Sequence, residues 1–176
     1  LGATVERMIA AVDRHDTSDV LACWHRRGIE HNPLFGELAV PDQLEAHLEA
    51  MFAALPDLAV DVVERRVDDA ESKAIVRYRL TGTFTGHGWD GVDANGRALD
   101  IDVVWFLRFE DGFVVRSDVL FDTGLVSAQL GFRPGERTRG RRLRAGVANL
   151  RARWRNRGRA DAEITADDDD ETVQAA

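Results

Sequence analysis

Apolar side chains recur every three or four positions over most of the first 55 residues, a period typical of helices that bury one face. A first helix is predicted to begin near Thr4, which can cap it, and another is predicted to open at Pro41 and close before Pro56-Asp57. The predicted buried stripes are Val5, Met8, Ile9 and Val12 in the first of these, and Leu44, Leu48, Met51, Phe52 and Leu55 in the other.

Between these two helices the pattern predicts a short helix and a short strand. The helix is expected to start with a cap at residues 16–18, to carry Trp24 on its apolar side and to end at Gly28. Residues 29–31 then read as an extended piece, which Asn32-Pro33, a turn dipeptide, brings to an end.

From residue 58 onward the period changes to two, which is typical of strands with one buried face. Strands are predicted at 58–67 and 74–84, followed by a Gly-rich loop at 86–96 and two further strands on either side of Asp111-Gly112. Three helices before a four-stranded antiparallel meander predict an α+β domain over residues 1–132, with the helices packed on one face of a curved sheet.

Asp111-Gly112 stands between two apolar runs and is a strong signal for a hairpin. A two-residue turn predicts the cross-strand pairs Glu110–Phe113, Arg116–Leu107, Asp118–Trp105 and Asp122–Ile101. Two acids and an arginine would then share a face with large apolar side chains, as in a pocket that tunes an acid or a base. A three-residue turn would shift the register by one and place these charges outside.

Charge is distributed unevenly along the 176 residues. Residues 1–132 carry 12 basic and 23 acidic side chains, whereas residues 133–159 carry eleven arginines against a single acid, Glu136. An acidic main domain argues against nucleic acid as its ligand, because phosphate contacts need Lys and Arg.

The residues after Phe132 read as two further segments. Within the basic extension at 133–159, a basic amphipathic helix is predicted at 140–157, with an apolar stripe of Leu143, Val147, Leu150 and Trp154. Residues 160–176 hold seven acids and no base, and are predicted to be disordered. The basic helix could bind an anionic membrane surface or the chain's own acidic tail.

Cysteine and histidine spacing sets limits on redox and metal chemistry. Cys23 is the single cysteine, so no internal disulfide can form, and a reducing, cytoplasmic setting is expected. Cys23 itself reads as a small core residue. No His-x-x-x-His or Cys-x-x-Cys spacing occurs, so no metal is predicted.

Several short segments occur in a characteristic order between residues 4 and 132. They are Ile29-Glu30-His31-Asn32-Pro33, Phe52-Ala53-Ala54-Leu55-Pro56-Asp57-Leu58, Gly82-Thr83-Phe84-Thr85-Gly86, Gly91, Asn95-Gly96-Arg97, Asp111-Gly112, and Asp122 followed by Gln129-Leu130-Gly131. No single segment is specific, but together they resemble the SnoaL-like polyketide cyclases and ester cyclases of the nuclear transport factor 2-like superfamily.

The resemblance implies a cone-shaped domain in which the curved sheet and the helices enclose one apolar pocket. In cyclases of this kind, an acid near the end of the last strand is the general base. This acid removes a carbon-bound proton from a polyketide ester. The reaction needs no cofactor. The role of general base would fall on Asp122, with His31 as its helper.

The same residues also have structural interpretations. Asp122 precedes Thr123-Gly124 and could instead cap the short helix that follows. Arg116 and Asp118 could form an ion pair or bind an anionic group of a substrate. The predicted substrate-binding residues are Arg116, Asp118, Trp105, Tyr78, Trp24 and Phe52.

The sequence is compatible with two classes of function. One is a cofactor-independent enzyme that uses an Asp base on a small hydrophobic, polyketide- or ester-like substrate. The other is a non-catalytic module that binds a small molecule or a protein. Phe121-Asp122 also resembles the strand end of limonene epoxide hydrolases, although Arg77-x-Arg79 stands where they have Arg-x-Asp.

An isomerase is the weakest of these interpretations. Ketosteroid isomerases use an early Asp base and a Tyr donor, whereas Tyr78 is the single tyrosine here and no Asp lies near Ile29. A homodimer is expected through the open sheet face, because a patch there would otherwise expose apolar side chains. That predicted patch consists of Val104, Phe106, Val115, Val119 and Phe121.

Overall fold

The computed structural model describes residues 1–132. The predicted basic extension at 133–159, its helix at 140–157 and the acidic segment at 160–176 lie outside the described residues.

Four helices form among residues 1–132: α1 (Gly2–Asp13), α2 (Thr17–Leu21), α3 (Asp42–Ala54) and α4 (Thr123–Leu130). The predicted stripes of α1 and α3 are largely buried, including Val5, Met8, Leu44 and Leu48. Thr4 lies inside α1 rather than at its cap, and its hydroxyl donates to the Gly112 carbonyl in the hairpin turn. None of these helices has the length and apolar character needed to cross a bilayer.

Within residues 1–132, six strands form one sheet, in the spatial order β2-β1-β6-β5-β4-β3. Their bounds are β1 (Trp24–Asn32), β2 (Gly36–Ala39), β3 (Ala59–Asp68), β4 (Lys73–Thr83), β5 (Ala98–Glu110) and β6 (Phe113–Leu120). The predicted meander of β3 to β6 is present, and β1 extends it by pairing parallel to β6. The α+β fold with helices on one face of a curved sheet is confirmed.

The segment from Trp24 to Gly28 is a strand, and the prediction of a helix there was wrong. Helix α2 begins after its N-cap Asp16, whose side chain accepts a hydrogen bond from the backbone N–H of Asp19, and it ends at Leu21. Residues 24–32 then pair with β2 and β6, so pairing with two neighbours overrides the weak local helix pattern. Strand β2 was not predicted.

The core lies between the helices and the inner face of the sheet. Buried positions alternate along β4 and β5 as the period-two pattern predicts: Ala74, Val76 and Tyr78 on β4, and Ile101, Val103, Trp105, Leu107 and Phe109 on β5. Cys23 is also buried, and burial raises the pKa of its thiol. It is the core residue expected from the sequence.

The β5–β6 hairpin has the predicted turn but not the predicted register. Asp111 and Gly112 both have positive φ, as a two-residue turn of this kind requires, and Glu110 pairs with Phe113. A bulge then leaves Val115 as an extra residue on β6, between the Phe109–Val114 and Arg108–Arg116 pairs. From that point every side chain of β6 is on the opposite face from the one predicted.

The bulge corrects two expectations. Arg116 and Asp118 pair with Arg108 and Phe106 on the outer face of the sheet, not with Leu107 and Trp105 on the inner face. Val119 faces the core and Phe121 lines its cavity, so two of the five residues of the predicted outer patch do not belong to it. The homodimer through this face stays a prediction.

Candidate functional site

A cavity of about 80 Å³ lies between the inner face of the sheet and the helices. That volume can hold roughly five water molecules. Its wall is largely aliphatic, with contributions from β4, β5, α3 and α4. The polar and aromatic side chains that line it include Glu30, Asn32, His47, Tyr78, Trp89 and Trp105.

Glu30 places a carboxyl group in this apolar wall. Its side chain is on the inner face of β1 and the residue is only 5% exposed. No lysine or arginine is among the residues that line the cavity, and the Asn32 side chain is its hydrogen-bond partner. Burial without a cation disfavours the carboxylate and raises the pKa of Glu30 to about 7.

Asn32 connects this carboxyl group to the turn that follows β1. Its Oδ1 atom accepts hydrogen bonds from the backbone N–H groups of Leu34 (3.1 Å) and Phe35 (3.3 Å), which is how Asn stabilises a turn. The hydrogen bond from Asn32 to Glu30 lowers the pKa of Glu30, against the larger effect of burial. The Asn32 side chain therefore contacts both the Glu30 carboxyl group and the backbone of the turn at Leu34 and Phe35.

Tyr78 and Trp105 come from neighbouring strands and meet edge to face, with ring centroids 5.5 Å apart. Burial and the nearby Glu30 both disfavour the phenolate, so the pKa of Tyr78 is raised and its hydroxyl stays protonated. The indole N–H of Trp105 is buried and has no hydrogen-bond acceptor among residues 1–132. The cavity thus contains a titrating acid, a neutral phenol and an indole donor.

Phe35, His47 and Trp89 form an aromatic wall on another side of the cavity. Phe35 lies 5.4 Å from Trp89 in a stacked arrangement and 4.6 Å from His47, measured between ring centroids. Burial lowers the pKa of His47 to about 4, so this imidazole is neutral at physiological pH. This wall therefore carries no charge at neutral pH.

The loop that carries Trp89 is held tightly against α3. The backbone N–H groups of Gly86 and His87 donate to the carbonyls of Ala54 (3.1 Å) and Ala53 (2.7 Å). A side chain at Gly86 would overlap the Ala53 carbonyl oxygen, so this close approach requires glycine.

Helix α4 forms the end wall, and the Asn95-Gly96-Arg97 and Gln129-Leu130-Gly131 segments hold it in place. Val126 and Leu130 line the cavity. The Asn95 amide donates to the Leu130 carbonyl (3.0 Å), and the Gln129 amide bonds both backbone groups of Asp100 (3.0 and 3.1 Å). These two segments have structural roles.

The structure divides the predicted site residues among three places. Tyr78 and Trp105 line the cavity. Trp24 and Phe52 are buried in the core but are not among the residues that line the cavity. The remaining four, which are Asp122, His31, Arg116 and Asp118, lie elsewhere.

His31, Arg116 and Asp118 do come together, but on the outer face of the sheet. Arg116 makes two hydrogen bonds to the carboxylate of Asp118, at 3.1 and 3.0 Å, and lies 2.9 Å from Nδ1 of His31. Because arginine only donates, Nδ1 of His31 is the acceptor in this contact. These contacts hold the pKa of the Asp118 carboxyl below its usual range. The cluster fits the ion-pair interpretation.

Asp122 lies just beyond the end of β6 and caps α4. Its Oδ1 atom accepts from the backbone N–H groups of Gly124 (2.8 Å) and Leu125 (2.9 Å). The side chain is exposed, and Asp122 is not among the residues that line the cavity. The expectation that register would place it on the apolar face was wrong, because β6 ends at Leu120 and the bulge at Val115 changes the alternation.

Sequence reasoning missed Glu30, Asn32, His47 and Trp89 as members of the site. A signal for the first two was present, because Gly28, Glu30 and Asn32 alternate along a strand and share its inner face. The prediction of a helix up to Gly28 concealed that alternation. Among residues 1–132, no group of three or more His, Cys, Asp or Glu side chains is placed to share a metal ion.

Solved structures with this fold come from several bacteria. AclR from Streptomyces galilaeus, a candidate hydroxylase, is 26% identical, with a TM-score of 0.64 over 76% of this chain and 96% of that one. A candidate SnoaL-like polyketide cyclase from Jannaschia sp. CCS1 is 20% identical, with a TM-score of 0.66 over 75% of this chain and 92% of that one.

A third similar structure is a protein of ketosteroid isomerase-like fold from Catenulispora acidiphila, in complex with trimethylamine. It is 12% identical, with a TM-score of 0.61 over 74% of this chain and 93% of that one. No curated protein matches this chain. The family model described as a SnoaL-like domain matches residues 5–117, well over half of the sequence. This chain therefore belongs to the SnoaL-like domain family, within the nuclear transport factor 2-like superfamily.

Proposed function

We propose that this chain is an enzyme that transfers a proton on a small, largely apolar substrate, with Glu30 as the general acid and base. In the ionised form Glu30 accepts a proton from a weakly acidic carbon of the substrate. In the protonated form it returns that proton to another atom of the same molecule. The observation that carries the proposal is the pKa of about 7 of a carboxyl group buried in the cavity wall.

A group whose pKa lies near the working pH is suited to this task, because both of its protonation states are populated. With a pKa of about 7, Glu30 is present in both forms near neutral pH. The apolar wall excludes bulk water, which makes the carboxylate a stronger base than one in solution. Tyr78 stays neutral beside it and can donate a hydrogen bond.

Glu30 is favoured over the Asp base expected from the sequence. Asp122 already accepts two backbone hydrogen bonds and is exposed. Asp118 pairs with Arg116 outside the cavity, and its lowered pKa makes it a weaker base than a free carboxylate. Neither group meets a substrate that occupies the cavity.

Membership of the SnoaL-like family supports a more specific proposal for the substrate and the reaction. Polyketide- or ester-like molecules have carbon-bound protons next to carbonyl groups, and the similar structure from Jannaschia is described as a candidate polyketide cyclase. Removal of such a proton is the first step of both a ring closure and an isomerisation. Glu30 and Tyr78 both line the cavity and lie close to each other. Their proximity supports isomerisation as one of the proposed reactions, although the sequence alone made it the weakest alternative.

A non-catalytic ligand-binding module is the second proposal. The unpartnered indole N–H of Trp105 in an apolar cavity favours it, because a bound molecule would satisfy that donor without any chemistry. The two proposals differ in what they require of Glu30, since proton transfer needs its carboxylate and binding alone does not.

The test is deuterium exchange at carbon, followed by NMR, on a panel of small cyclic ketones and esters in D2O. Glu30→Gln keeps the shape of the side chain and removes the base, so exchange should fall by a factor of about a hundred or more. In the wild-type chain, exchange should rise with pH through about 7, as Glu30 ionises.

Asp122→Asn and Asp118→Asn are the matched controls, because each makes the same change outside the cavity. Both should keep the wild-type rate. Loss of exchange in Asp122→Asn together with full activity in Glu30→Gln would restore the Asp base. Binding of panel members without exchange in the wild-type chain would support the ligand-binding module.

A further inference from the structure

We infer that the indole N–H of Trp105 is the hydrogen-bond donor for an oxygen atom of the ligand, so that the cavity selects neutral, largely apolar molecules that carry a carbonyl or ether oxygen. The inference deepens the proposed function, because it assigns the recognition of the substrate to a residue other than Glu30.

The first observation is an unmet donor in a buried place. Trp105 is 8% exposed, and its Nε1 atom has no partner among residues 1–132. Buried polar groups in folded proteins are nearly all hydrogen-bonded, so a buried N–H without an acceptor indicates a missing partner.

The second observation is that the two residues paired with Trp105 on the sheet offer no side-chain acceptor. On the sheet, Trp105 is flanked by Val76 on β4 and Val119 on β6, whose side chains are aliphatic. Tyr78 meets its ring edge to face. Trp105 also lines the cavity, so a molecule held there is a candidate acceptor for its indole N–H. Its volume leaves room for a water molecule that a ligand oxygen would replace.

The third observation concerns charge. The residues that line the cavity include no lysine or arginine, and His47 is neutral because burial lowers its pKa to about 4. An anionic ligand would lack a counter-charge and would be repelled by ionised Glu30. An uncharged oxygen acceptor suits the indole donor, and the aliphatic and aromatic wall suits the rest of the molecule.

Trp24 provides the control. It is also buried, its indole N–H also lacks a partner among residues 1–132, and it is not among the residues that line the cavity. A general effect of removing a buried indole should therefore appear in both Trp24→Phe and Trp105→Phe. An effect on ligand oxygen should appear only in Trp105→Phe.

The experiment compares cyclohexanone with methylenecyclohexane, which have nearly the same shape but differ in a C=O against a C=CH2 group. Binding to the full chain is followed by NMR of the indole N–H signals after ¹⁵N labelling. The ketone should bind about five- to tenfold more tightly than the hydrocarbon, the preference expected from one neutral hydrogen bond. It should also move the Trp105 signal more than the Trp24 signal.

In Trp105→Phe the preference for the ketone should disappear, whereas Trp24→Phe should keep it. Equal binding of the two probes to the wild-type chain, no binding of the ketone, or equal loss in both variants would overturn the inference. Failure of the proposed function looks different: Glu30→Gln would then retain carbon exchange while the ketone preference and its dependence on Trp105 persist.

Discussion

Glu30 and His31 are neighbours on β1, yet they lie in opposite environments. Glu30 points to the cavity, where Asn32 is its hydrogen-bond partner and its pKa is raised to about 7. His31 points to the outer face, where it meets Arg116, Asp118 and Glu37 in an exposed cluster. There the pKa of Asp118 is lowered by its arginine partner.

The richer collection of charges lowers the pKa of its carboxyl group, whereas the single buried acid has a raised pKa. The outer cluster contains an arginine and an aspartate, Arg116 and Asp118, whose opposite charges satisfy each other at 3.0 Å in contact with water. The inner site has one acid whose charge nothing nearby compensates. Desolvation, rather than the number of titratable groups, raises the pKa of a carboxyl group into the range in which that group can exchange protons near neutral pH.

The largest effect is expected from deleting Ser117, which lies on the inner face of β6 between Arg116 and Asp118. Either Asp118 would then take the inner position opposite Leu107, or the bulge at Val115 would be absorbed and Arg116 would take that position. Buried charges without solvent cost far more than the marginal stability of a domain, so the variant should be unfolded in the absence of denaturant. Circular dichroism and urea titration would measure this.

Deletion of Ala94, in the exposed loop before β5, is the control for shortening the chain by one residue and should leave a folded protein. A folded Ser117 deletion with near wild-type stability would show that the alternation along β6 does not determine which charges stay outside.

The next effect is the pH dependence of stability. Burial raises the pKa of Glu30 from its ordinary value near 4.5 to about 7, so between these values the folded state binds the additional proton. The contribution of Glu30 to stability is therefore complete below pH 4.5 and is lost as pH rises through 7, by about 3 kcal/mol in all.

Glu30→Gln cannot titrate and should lack this loss. Its free energy of unfolding should match the wild-type value near pH 4 and exceed it near pH 8, as measured by urea denaturation at both pH values. A constant difference between the two proteins across this range would mean that Glu30 keeps an ordinary pKa in the fold.

A smaller effect is expected at Asp122. Asp122→Ala removes the acceptor that caps α4 and should cost about 1 kcal/mol, whereas Asp122→Asn can still cap and should remain close to wild type. Thermal denaturation of the two variants would measure the difference. Equal stability of both variants would argue against the capping role.

The smallest effect is expected in the outer cluster. Arg116 and Asp118 are 39% and 33% exposed in their side chains, so their ion pair is screened by water and salt. Asp118→Asn should lower the urea midpoint slightly at low ionic strength and not at all in 1 M NaCl. A large loss that persists in high salt would mean that the cluster, and not only the cavity, is a buried electrostatic site.

Much of the fold could be predicted, because periodicity reports burial directly. The stripe of Leu44, Leu48 and Phe52 predicted α3, and the alternation of Val76, Tyr78 and its neighbours predicted β4. Asp111-Gly112 gave the turn because both residues need positive φ. These signals are local, so the sequence contains them in full.

The site could be predicted only in part, because its geometry depends on non-local pairing. Tyr78 and Trp105 were identified since their strands alternate regularly. Glu30 was missed because the extended piece predicted at 29–31 was too short to show the alternation of β1, which also depends on pairing with β6, more than 80 positions further along the chain. The faces of Arg116 and Asp118 were reversed because a bulge leaves no clear mark in the residues around Val115.

For the evolution of such domains, the bulge at Val115 makes an insertion or deletion a different event from a substitution. A substitution changes one side chain, whereas loss of the extra residue removes the bulge and still leaves Arg116 opposite Arg108, so the interior and exterior sets along the rest of β6 stay the same. An alignment that places a gap elsewhere would therefore equate residues on opposite faces of the sheet. Related chains are best compared by tracing the bulge first and assigning catalytic positions afterwards.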